Sequence, residues 1–305
     1  MTKLWSKGSD VNQRVHEFTV GNDLHWDKVL APHDVLGSIA HALMLQKVGL
    51  LDESEANKII THLQSLHPEV SDPTFKIPDD YEDIHSYIEA NLTEVLGEVG
   101  KKIHTARSRN DQVLLDTKLY LRDMLGQLTI QIEAFITQLL SHSEAHKDIL
   151  LPGYTHLQLA MPSSFGLWFG AYAESLIDDL EQWSATYRYV NKNPLGSGAG
   201  YGSSFPIDRE CTTNLLSFDS LHVNVVAAQM SRGKTERIVS QSLAGVADTL
   251  ARMAMDVVLY ANPHYGFLSF PETWTTGSSI MPHKKNLDVM ELIRGHCNQI
   301  KSLPN

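Results

Sequence analysis

Residues 110–149 read NDQVLLDTKLYLRDMLGQLTIQIEAFITQLLSHSEAHKDI, forty positions without a proline. Apolar side chains recur at Leu121, Leu125, Leu128, Ile132, Phe135 and Leu139, alternating steps of four and three. That is the spacing of a helix packed on neighbours in a bundle. Proline is excluded from helix interiors, so Asn110 to Ile149 can be one helix, on the order of 60 Å long. A second proline-free stretch, 207–262, repeats the pattern at Val239, Leu243, Val246, Leu250, Met253, Val257 and Tyr260. A third helix is expected from Pro162, a good first-turn residue, carrying Phe165, Phe169, Tyr172, Leu176, Leu180, Trp183 and Tyr187. Period-two patterns are scarce, so the chain reads as all-α, with a small N-terminal helical domain (1–105) and a long-helix central bundle (106–305). Within the first, Asp34–Gly49 and Ser54–Leu66 read as helices and 71–80 as a loop. The apolar stripes are core; helices of such length also serve subunit assembly, because one protomer cannot cover them.

Composition narrows the function classes. The 305 residues are 42% hydrophobic and 20% charged, enough for a buried core. A net charge of −11 disfavours wrapping nucleic acid, which needs a basic face. Two cysteines, Cys211 and Cys297, suit a reducing cytosol and cannot build a disulfide framework or a cysteine-rich zinc site. The N-terminus has no apolar signal-peptide region, and no run of about 18 apolar residues suggests a membrane span.

Chemistry-bearing residues gather where the long helices begin or end. Residues 101–113, KKIHTARSRNDQV, place Arg107 and Arg109 beside Ser108, Asn110 and Asp111. This is either an anion cradle at a helix N-terminus or an ordinary capped helix start. Residues 153–162, GYTHLQLAMP, set His156 beside Thr155 and Gln158; a lone histidine among fifteen is usually unremarkable. Residues 195–204, LGSGAGYGSS, permit close backbone approach, yet match no phosphate-loop fingerprint and read as a flexible turn. Residues 277–291, GSSIMPHKKNLDVME, combine serine hydroxyls with lysines, the material of oxyanion chemistry or of a mobile polar loop. No cysteine cluster suggests a metal, and no cofactor motif is found.

Taken together, GSSIMPHKKN, HTARSRNDQ and GYTHLQ, with Glu82–His85 and Lys3–Trp5, resemble the fumarase/aspartase superfamily and, within it, the argininosuccinate lyases. The resemblance covers the chain in order. It implies anti β-elimination of argininosuccinate to arginine and fumarate, in arginine biosynthesis in the cytoplasm, without cofactor. It implies Ser278 as base, His156 as acid or relay, Glu291 polarising it, and Lys284 stabilising the aci-carboxylate. Substrate contacts fall on Ser108, Asn110, Thr155, Asn286, Gln158 and His85, with Arg109 a looser assignment. It further implies a homotetramer with sites shared between subunits. Gly21 stands where many members carry Ser, and Leu287 where the signature usually has proline. Relatives usually extend further, so the chain reads as C-terminally truncated. Another fumarate-releasing lyase and an inactive structural homologue are the alternatives.

Overall fold

The computed structural model describes residues 13–78 and 80–305; the Lys3–Leu4–Trp5 segment lies outside them. In chain order the elements are α1 (Gln13–Val20), α2 (Asp23–Lys47), α3 (Glu53–Val70), α4 (Ile84–Leu96), α5 (Glu98–Lys101), α6 (Arg109–Ala145), β1 (Leu150–Thr155), β2 (Gln158–Ser164), α7 (Phe165–Val190), β3 (Lys192–Asn193), α8 (Arg209–Leu215), β4 (Ser220–Leu221), α9 (Val225–Gln229), α10 (Lys234–Tyr260) and α11 (Asp288–Ser302). The fold is mostly helical, as the periodicity predicts. Among the described residues two compact units form, one from residues 13–124 and 188–232, the other from 125–187 and 233–305. The expected boundary at 105/106 does not coincide with this division, because α6 and α7 each contribute residues to both units.

In the first unit, α2, α3 and α4 bury one apolar core, with Val35, Leu45, Ile59, Leu63, Ile84 and Leu92 fully enclosed. The turn before α3 ends in a capping box: Asp52 accepts from the Glu55 amide, and Glu55 accepts from that of Asp52. Helix α2 begins eleven residues before the expected start at Asp34 and carries Pro32 in its interior. Proline forfeits one helical hydrogen bond; burial of the adjacent Ala31 and Val35 offsets that loss. A second core joins Ala40 of α2 to Leu115 and Leu119 of α6 and to Leu195, Leu216 and Phe218.

Burial here carries a pH dependence. His41 is enclosed, and its Nε2–H donates to the Thr105 carbonyl at 2.9 Å. Burial, reinforced by the nearby Arg107 charge, lowers its pKa from 6.5 to about 3. Below pH 6.5 the unfolded chain therefore binds a proton that the fold refuses. Stability is lost as pH falls from there toward 3, by about 2 kcal/mol at pH 5 for this group. His222, lowered to about 4 by burial, acts in the same sense. Asp116, raised by burial, acts in the opposite one. Denaturant titrations at pH 7 and 5 should show a smaller acid loss in His41→Gln than in the parent; equal losses would refute the assignment.

In the second unit, the latter part of α6 packs on α7, where Trp183 Nε1 donates to Thr129 Oγ1 at 2.9 Å. Helices α10 and α11 pair through Ala247, Ala251 and Cys297, and Lys301 meets Asp248 across the pair. Pro162 does not begin a helix. It lies in β2 opposite Pro152 of β1, and Ser164 caps α7 instead, accepting from the Leu167 amide at 3.1 Å. The expected short link between long helices is thus an antiparallel hairpin running from Leu150↔Ser164 to Thr155↔Gln158, an exception to the all-α expectation.

Candidate active site

The hairpin carries His156 at its tip. His156 and Leu157 form the two-residue loop, with φ of +50° and +60°. Positive φ at both loop residues is the pattern of a type I′ turn, normally filled by Asn-Gly. Thr155, His156 and Gln158 are exposed. The hairpin is anchored close to its tip by Tyr154, whose ring sits 5.6 Å from Tyr265 and 6.5 Å from Phe267. Phe267 continues to Tyr260 and Trp168, and Trp168 and Tyr172 both donate to Asp256 Oδ2, at 3.0 and 2.6 Å. An aromatic platform with one carboxylate thus supports the hairpin.

Ser278 and Lys284 lie on the stretch 277–285, which is closed at its base. Thr276 and Asn286 exchange both backbone hydrogen bonds, at 3.1 and 2.8 Å. The Asn286 amide also donates to Thr276 Oγ1 at 3.4 Å, so this side chain clasps the loop. Lys285 pairs with Glu272 at 2.8 Å, holding that carboxyl below its ordinary range. Lys284 and Glu291 are exposed and Ser278 is half-buried. Leu287 precedes α11 with no side-chain cap, so the missing proline leaves the helix start intact at Asp288. No hydrogen bond or ion pair among the described residues links His156 to Ser278, Lys284 or Glu291.

The remaining expected residues lie in the first unit. Ser108 is the N-cap of α6, its Oγ accepting from the Asn110 amide at 3.2 Å. Arg109 is engaged: it pairs with Asp83 at 2.8 Å and donates to Ser86 Oγ at 2.9 Å, tying the start of α6 to the start of α4. His85 is enclosed rather than presented to solvent, with Nδ1 2.9 Å from Asp34 Oδ2 and 3.8 Å from Asp116 Oδ2. Gly21 has φ of +52° and open space around it.

Asp34, His85 and Asp116 were not singled out as a group by sequence. Their ligand atoms lie within 4.8 Å of one another, the spacing of a small metal site. Gln112 Nε2 already donates to Asp34 Oδ1 at 2.6 Å, and the Arg107 guanidinium, bonded to Ser38 Oγ at 2.9 Å, adds positive charge beside both carboxylates. That surrounding suits a hydrogen-bonded network better than a cation. Burial raises Asp34, but His85 and Arg107 outweigh it and hold the carboxyl low. Asp116, enclosed beside ionised Asp34 and without a hydrogen-bond partner, is raised well above the ordinary range.

Comparison with known proteins places this geometry in a family. The Lyase family (Lyase_1) matches residues 8–301. The argininosuccinate lyase of Phocaeicola vulgatus is 53% identical over 99% of this chain and 68% of its own length. The chain belongs to the argininosuccinate lyase family. The argininosuccinate lyase of Parabacteroides distasonis is 54% identical over the same shares, and that of Xylella fastidiosa 42% over 95% of this chain and 66% of its own. Among solved structures, an EDDS lyase in complex with formate superposes with a TM-score of 0.84 at 25% identity, covering 97% of this chain and 58% of that one. A class II fumarase from Schistosoma mansoni, at 0.76 and 17% identity, shares the fold. The activity is that of an argininosuccinate lyase, a carbon–nitrogen lyase yielding arginine and fumarate. Among the described residues, no helix is long and apolar enough to cross a membrane.

Proposed function

We propose that this argininosuccinate lyase works through Ser278 and His156 as its proton-transferring pair, in a homotetramer whose active sites draw on several subunits. Ser278 Oγ takes the proton from the carbon beside a succinyl carboxylate. The electron pair moves into that carboxylate as an aci-carboxylate, then returns to form the carbon–carbon double bond as the carbon–nitrogen bond breaks. His156, polarised by Glu291, supplies a proton to the leaving guanidino nitrogen. The carbon acid is weak, so the doubly charged intermediate needs preorganised donors, a role for Lys284, Asn286 and the loop amides. Ser108, Asn110, Thr155 and Gln158 hold the substrate's carboxylates and amino-acid end, while Arg109 and His85 act from behind through Asp83, Ser86 and Asp34.

One observation carries this reading: His156 and Ser278 stand on separate exposed projections, unpaired with each other, as a shared site requires. Assembly has its own support. Ile130 and Leu140 of α6 and Leu167 and Ile177 of α7 are exposed at 68%, 49%, 68% and 46%, apolar surface that a subunit interface would cover. Free Cys211 and Cys297 fit a reducing cytoplasm.

Fumarate release from argininosuccinate, followed by ultraviolet absorbance with sedimentation analysis of the same sample, is the test. Turnover by a tetramer supports the reading. Turnover by a monomer refutes the shared site, and release from adenylosuccinate or aspartate alone refutes the substrate.

A further inference from the structure

The glycine-rich stretch 195–202 is not a flexible turn: all of residues 193–198 are buried. Gly196 and Gly198 have φ of +85° and +59°, and a Cβ on them would lie 2.7 Å from Arg209 Cγ and 2.8 Å from the Gly202 carbonyl oxygen. Only glycine meets both demands. The N–H groups of Gly196 and Gly198 converge on one atom, Oδ2 of Asp111, each at 2.9 Å. Successive amides in such a conformation form an anion nest. The anion here is a side chain of the same chain, 85 residues earlier than Gly196.

Asp111 is fully buried, and its second oxygen accepts from the Ser108 amide at 2.9 Å. One carboxylate thus receives three N–H donors from two loops. The chain of contacts continues outward. Ser108 Oγ accepts from the Asn110 amide, Asn110 Oδ1 accepts from Arg232 Nη1 at 3.1 Å, and Gln229 Nε2 steadies the nest from the far side through Ser197 Oγ at 2.9 Å. We propose that Asp111, gripped by the Gly196–Gly198 nest, is a positioning residue that fixes Ser108 and Asn110 for substrate recognition. This rests on the assignment of Ser108 and Asn110 as substrate contacts. A carboxylate serves because both of its oxygens accept; an amide would turn N–H against N–H on one side.

The test uses the assembled enzyme with argininosuccinate, and the variants Asp111→Asn, Asn110→Ala and the double variant. Misplacing binding groups by a fraction of an ångström weakens recognition more than chemistry when the base and acid lie elsewhere. Asp111→Asn should raise KM about tenfold, with kcat per folded site within about threefold. Amide hydrogen exchange in a peptide spanning 195–202 should quicken in the same variant. In the double variant the two KM effects should fall well short of multiplying, because Asp111 acts through Asn110. Gln229→Ala, which loosens the nest without touching the carboxylate, should raise KM by a smaller factor and carries the test should Asp111→Asn not fold. Multiplicative effects, or a fall in kcat at constant KM, would overturn the positioning role. A KM unmoved by Asn110→Ala alone would instead overturn the substrate contact on which it rests.

Discussion

Ser278→Ala is expected to slow turnover of argininosuccinate by about 10³-fold or more, with little change in thermal unfolding. The magnitude is that of removing a positioned general base. Stability should hold because Ser278 is half-buried and makes no side-chain hydrogen bond among the described residues, while the loop around it is fastened by the Thr276–Asn286 bridge and the Lys285–Glu272 pair. KM should change little, since substrate is gripped by other groups. Rapid-mixing measurement of fumarate release, alongside a melting curve, reads both effects. A kcat near the parent's would remove Ser278 from the mechanism.

His156→Asn should fall in kcat by about 10² to 10⁴-fold, the usual contribution of a positioned acid–base group. The replacement is chosen for the turn. Asparagine tolerates positive φ better than most residues, so the hairpin tip at φ +50° should be preserved. If the variant stayed active, the proton would have to reach the leaving nitrogen from another group. If it lost activity together with its hairpin, hydrogen exchange over residues 150–164 would reveal it.

The long helices were legible because their signal is local. The absence of proline and the four–three stripe are properties of α6 and α10 taken alone, and the observed Arg109–Ala145 ends within a few residues of the reading. Pro162 misled because proline fits two places, the first helical turn and a strand edge. The deciding fact, its pairing with Pro152 across the hairpin, is not local. The motif loops were visible as residue types, yet their status was not. The glycine-rich run asked for something to approach closely, and only the fold reveals that Asp111 does so. Asp34 and Asp116 left no trace, since a carboxylate in a helix reads as solvent-facing until a partner such as His85, distant in sequence, is brought beside it. Arg109 looked free to hold an anion and is taken up by Asp83.

The tip of the hairpin has a consequence for anyone who would make this protein sturdier. Two non-glycine residues, one of them leucine, sit in left-handed conformations at positions 156 and 157. Such residues cost of order 1 kcal/mol or more each. A stability screen would therefore reward Asn-Gly there, and the winning clones would hold a tighter hairpin without His156, the acid proposed above. Selection for heat resistance and selection for growth without arginine should pull this dipeptide in opposite directions, so a library screened only for the first will drift toward well-folded, silent enzyme.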